Sequence, residues 1–477
     1  MRRLATHAAS ILGRALLATV LVVGLAGCAP LLAELASESL TAPAGVTPPP
    51  TRVPAAPRPR EGGALSAAEV FARVAPGIAF IDTPTGTGSG ILLESGHVLT
   101  NAHVVWPFDE ARVVLPDGSA WDAAPVAAWD LFVDLALLGP LEAAAPALAL
   151  SPGEDLGVAS TVYLVGYPGE VEAFPQPAIS GGLISRYRQW QGMGITYLQV
   201  AATITGGQSG GALVSENGDV IGVSGFLFAN TYGLIASSED LAPHVTRLVD
   251  ESRANLGRTG WFPRGAGSRR HNLTLDNLWD TRMFLIQEPP GSTIRFEVES
   301  DNDVYVEVLD AYGDSLTLVD DTYSGYEEGE LTLETPGPHF LVIAQSDEAR
   351  GRFRLQTNHP VLPYQDAEDG RVLAVGETIS GTIDYPMDFD YYLLDLQEGQ
   401  TVEIVVDSVM IDPYLRVDFW GASGEEYASD DDSGGGLFGE NSRLIYTAPR
   451  DDTYFVLVED ALQEYGGYLL TVAEPTP

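Results

Sequence analysis

Residues 206–211 read Gly-Gly-Gln-Ser-Gly-Gly, so the chain presents one serine inside a turn rich in glycine. Such a serine becomes a nucleophile when a base removes its proton and backbone N–H groups stabilise the oxyanion that forms. Two upstream segments offer the remaining groups, Leu-Thr-Asn-Ala-His-Val-Val at 99–105 and Asp-Leu-Ala-Leu-Leu at 134–138. The sequence therefore predicts a catalytic triad in the chain order His103, Asp134, Ser209.

The three residue types divide the work of hydrolysing a peptide bond. The imidazole of His103 is the expected base, because the unperturbed pKa of histidine suits proton transfer near neutral pH. Asp134 would fix the tautomer of that ring and stabilise the imidazolium. The backbone N–H groups of Gly207 and Ser209 would form the oxyanion hole, where losing one donor costs about 3 to 4 kcal/mol in the barrier. Asp130 competes with Asp134 for the orienting role, and the Leu-Ala-Leu-Leu run after Asp134 favours Asp134.

The length and charge of the chain limit its class. At 477 residues it is too long for one ordinary core, so two or three domains are expected. It has 66 acidic residues against 25 basic ones, all of them arginine, and a formal net charge of -41. Nucleic acid carries the same sign of charge, so we expect no nucleic-acid partner.

The N-terminus has the features of an export signal, with arginines at positions 2 and 3 and an apolar run over residues 15–26. That run is too short to span a bilayer, which takes about 20 apolar residues. It ends at Leu25-Ala26-Gly27-Cys28, which resembles the lipobox of bacterial lipoproteins. The resemblance implies that Cys28, the only cysteine, is lipidated and anchors the protein to a bacterial membrane outside the cytoplasm. An ordinary signal peptide with an incidental cysteine is the alternative.

Composition and periodicity divide the first half of the chain into three segments. Residues 1–27 form the signal peptide, and residues 28–65, rich in alanine and proline, form a linker. A first domain at 66–256 begins with a capping box, Ser-Ala-Ala-Glu, and a helix through residue 74, and it ends with a helix at 238–255. Short strands with turn signals between the helices predict barrels or sandwiches. These strands are expected at 90–93, 97–99, 112–115, 162–165, 197–201 and 220–223.

A divergent repeat occupies the rest of the chain. Alternating apolar residues predict strands at 293–298, 304–308, 340–344, 402–406, 415–419 and 454–458. Residues around the second of these strands recur at one constant offset around the fifth, so that Val304 matches Leu415 and Asp320 matches Asp431. Two tandem β-sandwich modules, at 265–358 and 372–475, are the simplest account.

The second module carries further motifs, Gly-Thr-Ile-Asp at 381–384, Asp-Tyr-Tyr at 390–392, Asp-Pro-Tyr-Leu at 412–415 and Asp-Asp-Asp-Ser-Gly at 430–434. They resemble the bacterial pre-peptidase C-terminal domain, a β-sandwich appended to secreted peptidases. The acidic clusters at 320–321 and 430–432 offer oxygen ligands that suit calcium. A solvated turn is the favoured alternative, so no metal is assigned and no other cofactor is expected.

Four motifs together resemble the trypsin-like fold, and within it the HtrA-like bacterial proteases. They are Gly-Ser-Gly at 88–90, Thr-Asn-Ala-His at 100–103, Asp-Leu-Ala-Leu at 134–137 and Gly-Gln-Ser-Gly-Gly at 207–211. The resemblance covers Ser66 to about Asn255 and implies a two-barrel trypsin-like protease domain. With the repeat beyond it, the expected chain is all-β, with this protease domain followed by the two tandem β-sandwich modules. The resemblance also implies serine endopeptidase activity without a cofactor, in a cleft between the barrels.

The chain departs from the family pattern at two points. Gln208 stands where animal trypsins have the aspartate that pairs with a newly cut N-terminus, so zymogen activation by that ion pair is not expected. Sandwich modules stand where HtrA-like proteases have a PDZ-like domain, so regulation and assembly do not carry over. By position relative to Ser209, Thr203 is expected at the base of the primary substrate pocket and Ser224 on its wall. Neither is a carboxylate, so cleavage after a small or medium apolar residue is expected.

Two functions of different classes fit these observations. The first is a lipid-anchored extracytoplasmic serine endopeptidase that acts on unfolded or exposed protein segments. The second is a surface protein whose sandwich modules bind protein or glycan and whose protease-like domain is inactive. The complete triad and the glycine at 207 favour the first.

Overall fold

The structure, a computed structural model, describes most of the chain after the linker. It covers residues 64–475 except 85, 154–155, 170–174, 191, 203–204, 229–231, 255–260, 263–264, 321–324, 346–349, 365, 386, 420–426 and 463–464. The predicted signal peptide, Cys28, nearly all of the linker, Thr203 and Asp321 lie outside the described residues. In the described part, no helix combines the length and apolar character needed to cross a bilayer.

The first β-barrel follows a short capped helix, α1 (Ala67–Val74). At the start of α1 the Ser66 hydroxyl accepts from the Glu69 N–H and the Ser66 N–H donates to the Glu69 carboxylate, so the predicted capping box is confirmed. The barrel strands close in the order β1-β2-β3-β6-β5-β4. They are β1 (Ile78–Thr83), β2 (Gly86–Leu92), β3 (Val98–Thr100), β4 (Glu110–Val114), β5 (Ala120–Asp130) and β6 (Leu135–Leu138). A four-residue helix, α2 (Ala102–Val105), follows β3.

The second barrel closes in the order β10-β11-β12-β9-β8-β7. Its strands are β7 (Thr161–Gly166), β8 (Ala178–Trp190), β9 (Ile195–Val200), β10 (Ala212–Ser215), β11 (Val220–Phe228) and β12 (Tyr232–Ser237). Aliphatic side chains from alternate strand positions fill its interior, including Val162, Ile184, Leu213 and Ile235. Helix α3 (Ser238–Arg253) follows the last strand.

The first C-terminal module is an eight-stranded antiparallel sheet. Its order is β17-β16-β19-β14-β20-β15-β18, with β13 also paired to β20. The long strand β20 connects two halves, because its first part pairs with β13 and β15 while its last residues pair with β14. The strands are β13 (Ser268–Leu275), β14 (Thr281–Ile286), β15 (Thr293–Ser300), β16 (Val304–Leu309), β17 (Ser315–Val319), β18 (Tyr326–Thr332), β19 (His339–Gln345) and β20 (Gly351–Tyr364).

The second C-terminal module repeats this topology as two separate sheets. Its sheets have the orders β21-β23-β28-β25-β26 and β22-β29-β24-β27. Strand β25 pairs with β28 as β16 pairs with β19, so the strands matched by the sequence repeat occupy equivalent places. The strands are β21 (Arg371–Leu373), β22 (Glu377–Ile383), β23 (Phe389–Leu396), β24 (Thr401–Ser408), β25 (Pro413–Phe419), β26 (Ala428–Asp430), β27 (Ser442–Thr447), β28 (Asp452–Asp460) and β29 (Gly466–Ala473).

The first barrel and the C-terminal modules share one hydrophobic core. Trp261 and Phe262, just after the second barrel, join a cluster that includes residues of both the first barrel and the first module. Trp261 stacks on Trp129 with 4.9 Å between ring centroids, and its indole N–H donates to the Phe108 carbonyl at 3.1 Å. The modules therefore pack against the barrel that carries the predicted base.

The all-β fold class with two closed barrels is confirmed. Every strand predicted in either half overlaps a strand of the structure, and α3 covers most of the helix expected at 238–255. The sequence reading missed α2, because four residues are too few to show helical periodicity.

Candidate active site

His103 is the polar residue of a short helix that is otherwise buried. Ala102, Val104 and Val105 of α2 pack into the first barrel, whereas the His103 side chain remains 31% exposed. Apolar residues on both sides of one histidine therefore hold the ring at the surface of the barrel. This is why the Asn-Ala-His-Val-Val sequence presents an imidazole at a fixed position.

Asp134 binds His103 through both carboxylate oxygens. Its Oδ2 lies 2.7 Å from His103 Nδ1, and its Oδ1 accepts from the His103 backbone N–H at 3.0 Å. Asp134 is only 1% exposed and has a left-handed backbone with φ of 53°, a conformation that aspartate tolerates better than most residues. Asn101 Nδ2 donates to the Asp134 carbonyl at 3.0 Å. Because an ionised carboxylate only accepts, Nδ1 carries the proton and Nε2 is the basic nitrogen.

The competing aspartate, Asp130, has other partners. Its Oδ2 accepts from His244 Nδ1 at 3.1 Å and from the guanidinium of Arg247, both on α3. Burial raises the pKa of Asp130, but the His244 hydrogen bond and the Arg247 charge outweigh burial and leave the pKa below its usual range. Of the two candidates, the structure brings Asp134 to His103.

His97, the residue before strand β3, links that strand to helix α3. Its two ring nitrogens contact the hydroxyls of Ser95, at 3.0 Å, and Ser252, at 2.8 Å. Burial lowers the pKa of His97, and the positive charge of Arg253 lowers it further. A buried neutral ring with two hydroxyl partners fits a packing role.

Ser209 lies in the turn between β9 and β10, whose backbone requires glycine at two positions. Gly207 has φ of 84°, and a Cβ there would lie 2.7 Å from the Gly169 nitrogen. Gly210 has φ of 80°, and a Cβ there would overlap the Ser89 carbonyl oxygen. The turn is therefore packed directly against the first barrel, at distances that only glycine permits.

Two N–H groups of this turn differ from their neighbours. The N–H groups of Gln208 and Gly210 donate to Thr205 O and Ser224 O, at 3.3 and 2.8 Å. For the N–H groups of Gly207 and Ser209, no protein acceptor occurs among the described residues. These are the two donors that the sequence predicts for the oxyanion hole.

Gly225 brings the serine and the aspartate together. The carbonyl oxygen of Gly225 lies 3.5 Å from Ser209 Oγ. Its α-carbon faces Asp134 and Asn101, since a Cβ built there would lie 3.8 Å from Asp134 Oδ2 and 3.5 Å from Asn101 Nδ2. One residue of β11 thus separates the nucleophile candidate from the His–Asp pair. His103 and Asp134 belong to the first barrel and Ser209 to the second, and Gly225 lies next to both Ser209 and Asp134.

The two predicted pocket residues have different outcomes. Thr203 lies outside the described residues. Ser224 is 2% exposed, and its backbone O and N bond to Gly210 N and Gly211 O, at 2.8 and 2.9 Å. In the structure Ser224 therefore holds the serine turn against β11.

Sequence reasoning missed supporting residues at this site. Buried Ser89 donates from Oγ to the Gly207 carbonyl at 2.7 Å, accepts from the Tyr167 N–H at 2.8 Å, and donates its own N–H to Ser209 O at 2.8 Å. Ser89 and Asn101 belong to the Gly-Ser-Gly and Thr-Asn-Ala-His motifs, so the motifs contained the signal. Tyr197 carried no such signal, although burial and the nearby Asp134 carboxylate raise its pKa.

Carboxylates that suit a metal ion lie in the C-terminal modules. Asp412 joins Asp431 and Asp432 of the predicted acidic cluster, with ligand oxygens within 4.8 Å of one another, and Asp303 and Glu327 do the same for Asp320. A more buried group, missed in the sequence, lies where the second module begins. It comprises Asp366, Asp369, Asp384, Asp388 and Asp390, and four of its carboxylate oxygens are buried without a partner in the described part of the chain.

The buried group predicts a stability that depends on pH. Burial raises the pKa of Glu368 to about 8, helped by a hydrogen bond to Asp366 and then by the charge of Asp366. Burial, and then the charge of Asp366, raise the pKa of Asp369 to about 9 and hold the pKa of Asp388 well above its usual range. The folded protein then keeps protons that the unfolded chain loses above pH ~4, so the free energy of unfolding falls as pH rises from about 4 to 9. With a chelator present, we expect the free energy of unfolding to fall by roughly 3 kcal/mol or more over this range, since a shift of one pKa unit in one group is worth about 1.4 kcal/mol.

Denaturant unfolding at several pH values measures this fall. The Asp388→Asn variant should flatten the profile, and calcium should stabilise the protein more at pH 8 than at pH 5. A flat profile in the wild type would contradict the expectation, and an unfolding midpoint unchanged by chelator would exclude calcium.

Comparison with known proteins agrees with the geometry. Residues 88–223 match the family model of the trypsin-like peptidase domain. The chain is similar to a probable periplasmic serine endoprotease DegP-like of Halomonas elongata, 32% identical over 37% of each chain. It is similar to the serine protease HTRA1 of Xenopus tropicalis, 32% identical over 59% of this chain and 64% of that protein. The chain is also similar to a solved structure, a serine endoprotease from Yersinia pestis, with 23% identity and a TM-score of 0.34. The match covers 41% of this chain and 70% of the Yersinia pestis chain.

These matches concern one part of each protein. The chain spans about one third to two thirds of the length of the curated relatives it matches. The family model and the curated relatives, together with the two closed barrels, show a trypsin-like peptidase domain of the serine protease type, followed by C-terminal β modules.

Proposed function

We propose that the protein is a serine endopeptidase that cleaves unfolded or exposed protein segments through His103, Asp134 and Ser209. The observation that carries the proposal is the buried Asp134 carboxylate, which holds both the ring and the backbone of His103. Asp130 also bonds a histidine, His244, but only Asp134 accepts from the backbone N–H of its histidine as well as from the ring.

The chemistry follows from these contacts. Ser209 Oγ attacks the peptide carbonyl as its proton passes to His103 Nε2, and Asp134 stabilises the imidazolium. The N–H groups of Gly207 and Ser209 stabilise the oxyanion. His103 then gives its proton to the leaving amine, which leaves an acyl ester on Ser209. Water, deprotonated by His103, hydrolyses the ester and restores the hydroxyl. Every proton is returned, and the proposed cycle needs no cofactor.

The serine turn has its own internal support, which bears on activation. Gln208 is buried, and its side-chain oxygen accepts from the Thr205 N–H at 2.8 Å. This bond holds the turn to its own loop, at the position where animal trypsins need an ion pair with a newly cut N-terminus. We therefore propose that the protease is competent as folded, without cleavage of a propeptide.

Substrate preference and location complete the proposal. Neither Thr203 nor Ser224 is charged, which supports cleavage after a small or medium apolar residue. The Leu-Ala-Gly-Cys sequence ending at Cys28 supports export and lipid anchoring outside the cytoplasm, and one similar protein is named as periplasmic. Mass spectrometry of the mature N-terminus tests the anchor. The alternative of an inactive binding protein is not favoured, because His103 is bonded to Asp134 and Ser209 lies beside Gly225, whose α-carbon faces Asp134.

Digestion of casein by the purified protein tests the proposed specificity. We expect discrete fragments, with alanine, valine or residues of similar size before most mapped cuts. Mass spectrometry of the fragments measures this preference. Cuts mainly after arginine or lysine would contradict it, and intact casein would contradict the function.

A further inference from the structure

The C-terminal end of the chain contacts the loop that carries the histidine. Tyr465, immediately before β29 in the second module, donates its hydroxyl to the His103 carbonyl at 3.1 Å. Its ring stacks on Trp106, the residue after α2, with 3.7 Å between centroids and 21° between planes. A hydrogen bond and a ring stack therefore hold both sides of the short helix that carries His103.

The same segment contacts the loop that carries the aspartate. The Gly467 N–H donates to the Leu131 carbonyl at 3.3 Å, in the connection between β5 and Asp134. A Cβ at Gly467 would lie 2.6 Å from the ring of Phe132, so glycine is required for this approach. Tyr465 and Gly467 of the second module thus contact the loops of both members of the His–Asp pair.

These loops need outside support more than the strands do. An isolated helix of four residues is far below the length at which helices are stable in water, so α2 depends on what packs around it. The 2.7 Å distance between His103 Nδ1 and Asp134 Oδ2 depends on the relative position of the two loops. A small displacement of one loop lengthens this bond and misdirects Nε2, and rate is sensitive to shifts of this size.

We propose that the second C-terminal module positions the catalytic pair, with Tyr465 as its main positioning residue. The proposal rests on the proposed peptidase function. It predicts that deleting the second module lowers turnover, since Tyr465 and Gly467 of this module contact the loops that carry His103 and Asp134.

Substitutions at Tyr465 separate its hydrogen bond from its ring stack. Tyr465→Phe keeps the stack and loses one hydrogen bond, so we expect kcat to fall roughly fivefold. Tyr465→Ala loses both contacts, and we expect a fall of roughly 50-fold. KM should stay within about twofold in each variant, because no role in substrate binding is assigned to Tyr465.

Tyr312→Phe provides a matched control. Tyr312, in the first module, also donates its hydroxyl to a barrel carbonyl, that of Pro84 at 3.2 Å, in the turn between β1 and β2. Its loss removes the same kind of contact away from the triad loops. We expect kcat and KM of the wild type.

Hydrogen–deuterium exchange gives a measurement that does not depend on activity. Tyr465→Ala should speed amide exchange in peptides covering 101–106 and 131–134, while Tyr312→Phe should not. Tyr465→Phe serves if the alanine variant fails to fold. Unchanged exchange in those peptides, or wild-type kcat in both Tyr465 variants, would overturn the proposal. A wild-type protein without activity would instead refute the peptidase function and leave the exchange result to decide the positioning role.

Discussion

Ser209→Ala is expected to lower kcat on casein by about a millionfold, to the level left by binding and the oxyanion donors alone. The loss is this large because the Ser209 hydroxyl oxygen is the only atom of the proposed site that forms a covalent bond to the substrate. Removing one oxygen leaves the Gly207 and Gly210 backbone unchanged, so the turn should keep its conformation in the variant. Casein cleavage followed by release of soluble peptides measures the rate.

A reactive probe and two further variants make the result specific. An alkyl fluorophosphonate should add to Ser209 in the wild type and to no serine in Ser209→Ala. His103→Ala should be as slow as Ser209→Ala, and the double variant no slower, because members of a triad act as a unit. Ser160→Ala, which removes a hydroxyl bound to the Gly157 N–H in a loop of the second barrel, should cleave at the wild-type rate. Equal rates for Ser209→Ala and the wild type would refute the enzymatic proposal.

The strands and the three proposed catalytic residues could be predicted because their signals are local. Alternation of apolar residues marks each strand within about five positions, and the glycines around Ser209 indicate the turn. The choice between Asp130 and Asp134 depends on the sequence that follows each residue. The apolar run after Asp134 indicated the aspartate that contacts His103 in the structure. The partners of Asp130, His244 and Arg247, lie on a helix that is distant from Asp130 in the sequence.

The remaining features depend on contacts between distant segments. Ser89 supports the turn of Ser209 across the barrel junction, and Tyr465 reaches His103 from the far end of the chain. Neither contact leaves a periodic trace in one sequence. The buried carboxylates around Asp388 could not be predicted for a related reason, because the motifs that contain Asp384 and Asp390 indicate a module and do not show which of its carboxylates are buried together. The repeat predicted the equivalent strands of the two modules, and it could not predict that the first module forms one continuous sheet through β20.

Asp134→Asn is expected to lower kcat by about 10⁴-fold while the fold is retained. In the wild type the two carboxylate oxygens accept from His103 Nδ1–H and from the His103 backbone N–H. An asparagine amide has one oxygen and one NH₂ group. If its oxygen keeps the backbone N–H, its NH₂ faces Nδ1 and forces Nδ1 to be the acceptor. The proton then sits on Nε2, which can no longer take the proton of Ser209. The opposite amide orientation sets NH₂ against the backbone N–H, a buried clash of two donors.

Asp130→Asn separates this tautomer effect from the loss of a buried charge. Asp130 is also largely buried and also contacts a histidine, His244, but it has no contact with His103. Its substitution weakens the pairing with Arg247 and should cost about 1 to 3 kcal/mol of stability, with kcat within about twofold of the wild type. Steady-state kinetics and denaturant unfolding on both variants measure the two effects. Wild-type turnover in Asp134→Asn would show that the buried carboxylate does not orient the base, and a large fall in kcat in Asp130→Asn would assign to Asp130 the role proposed for Asp134.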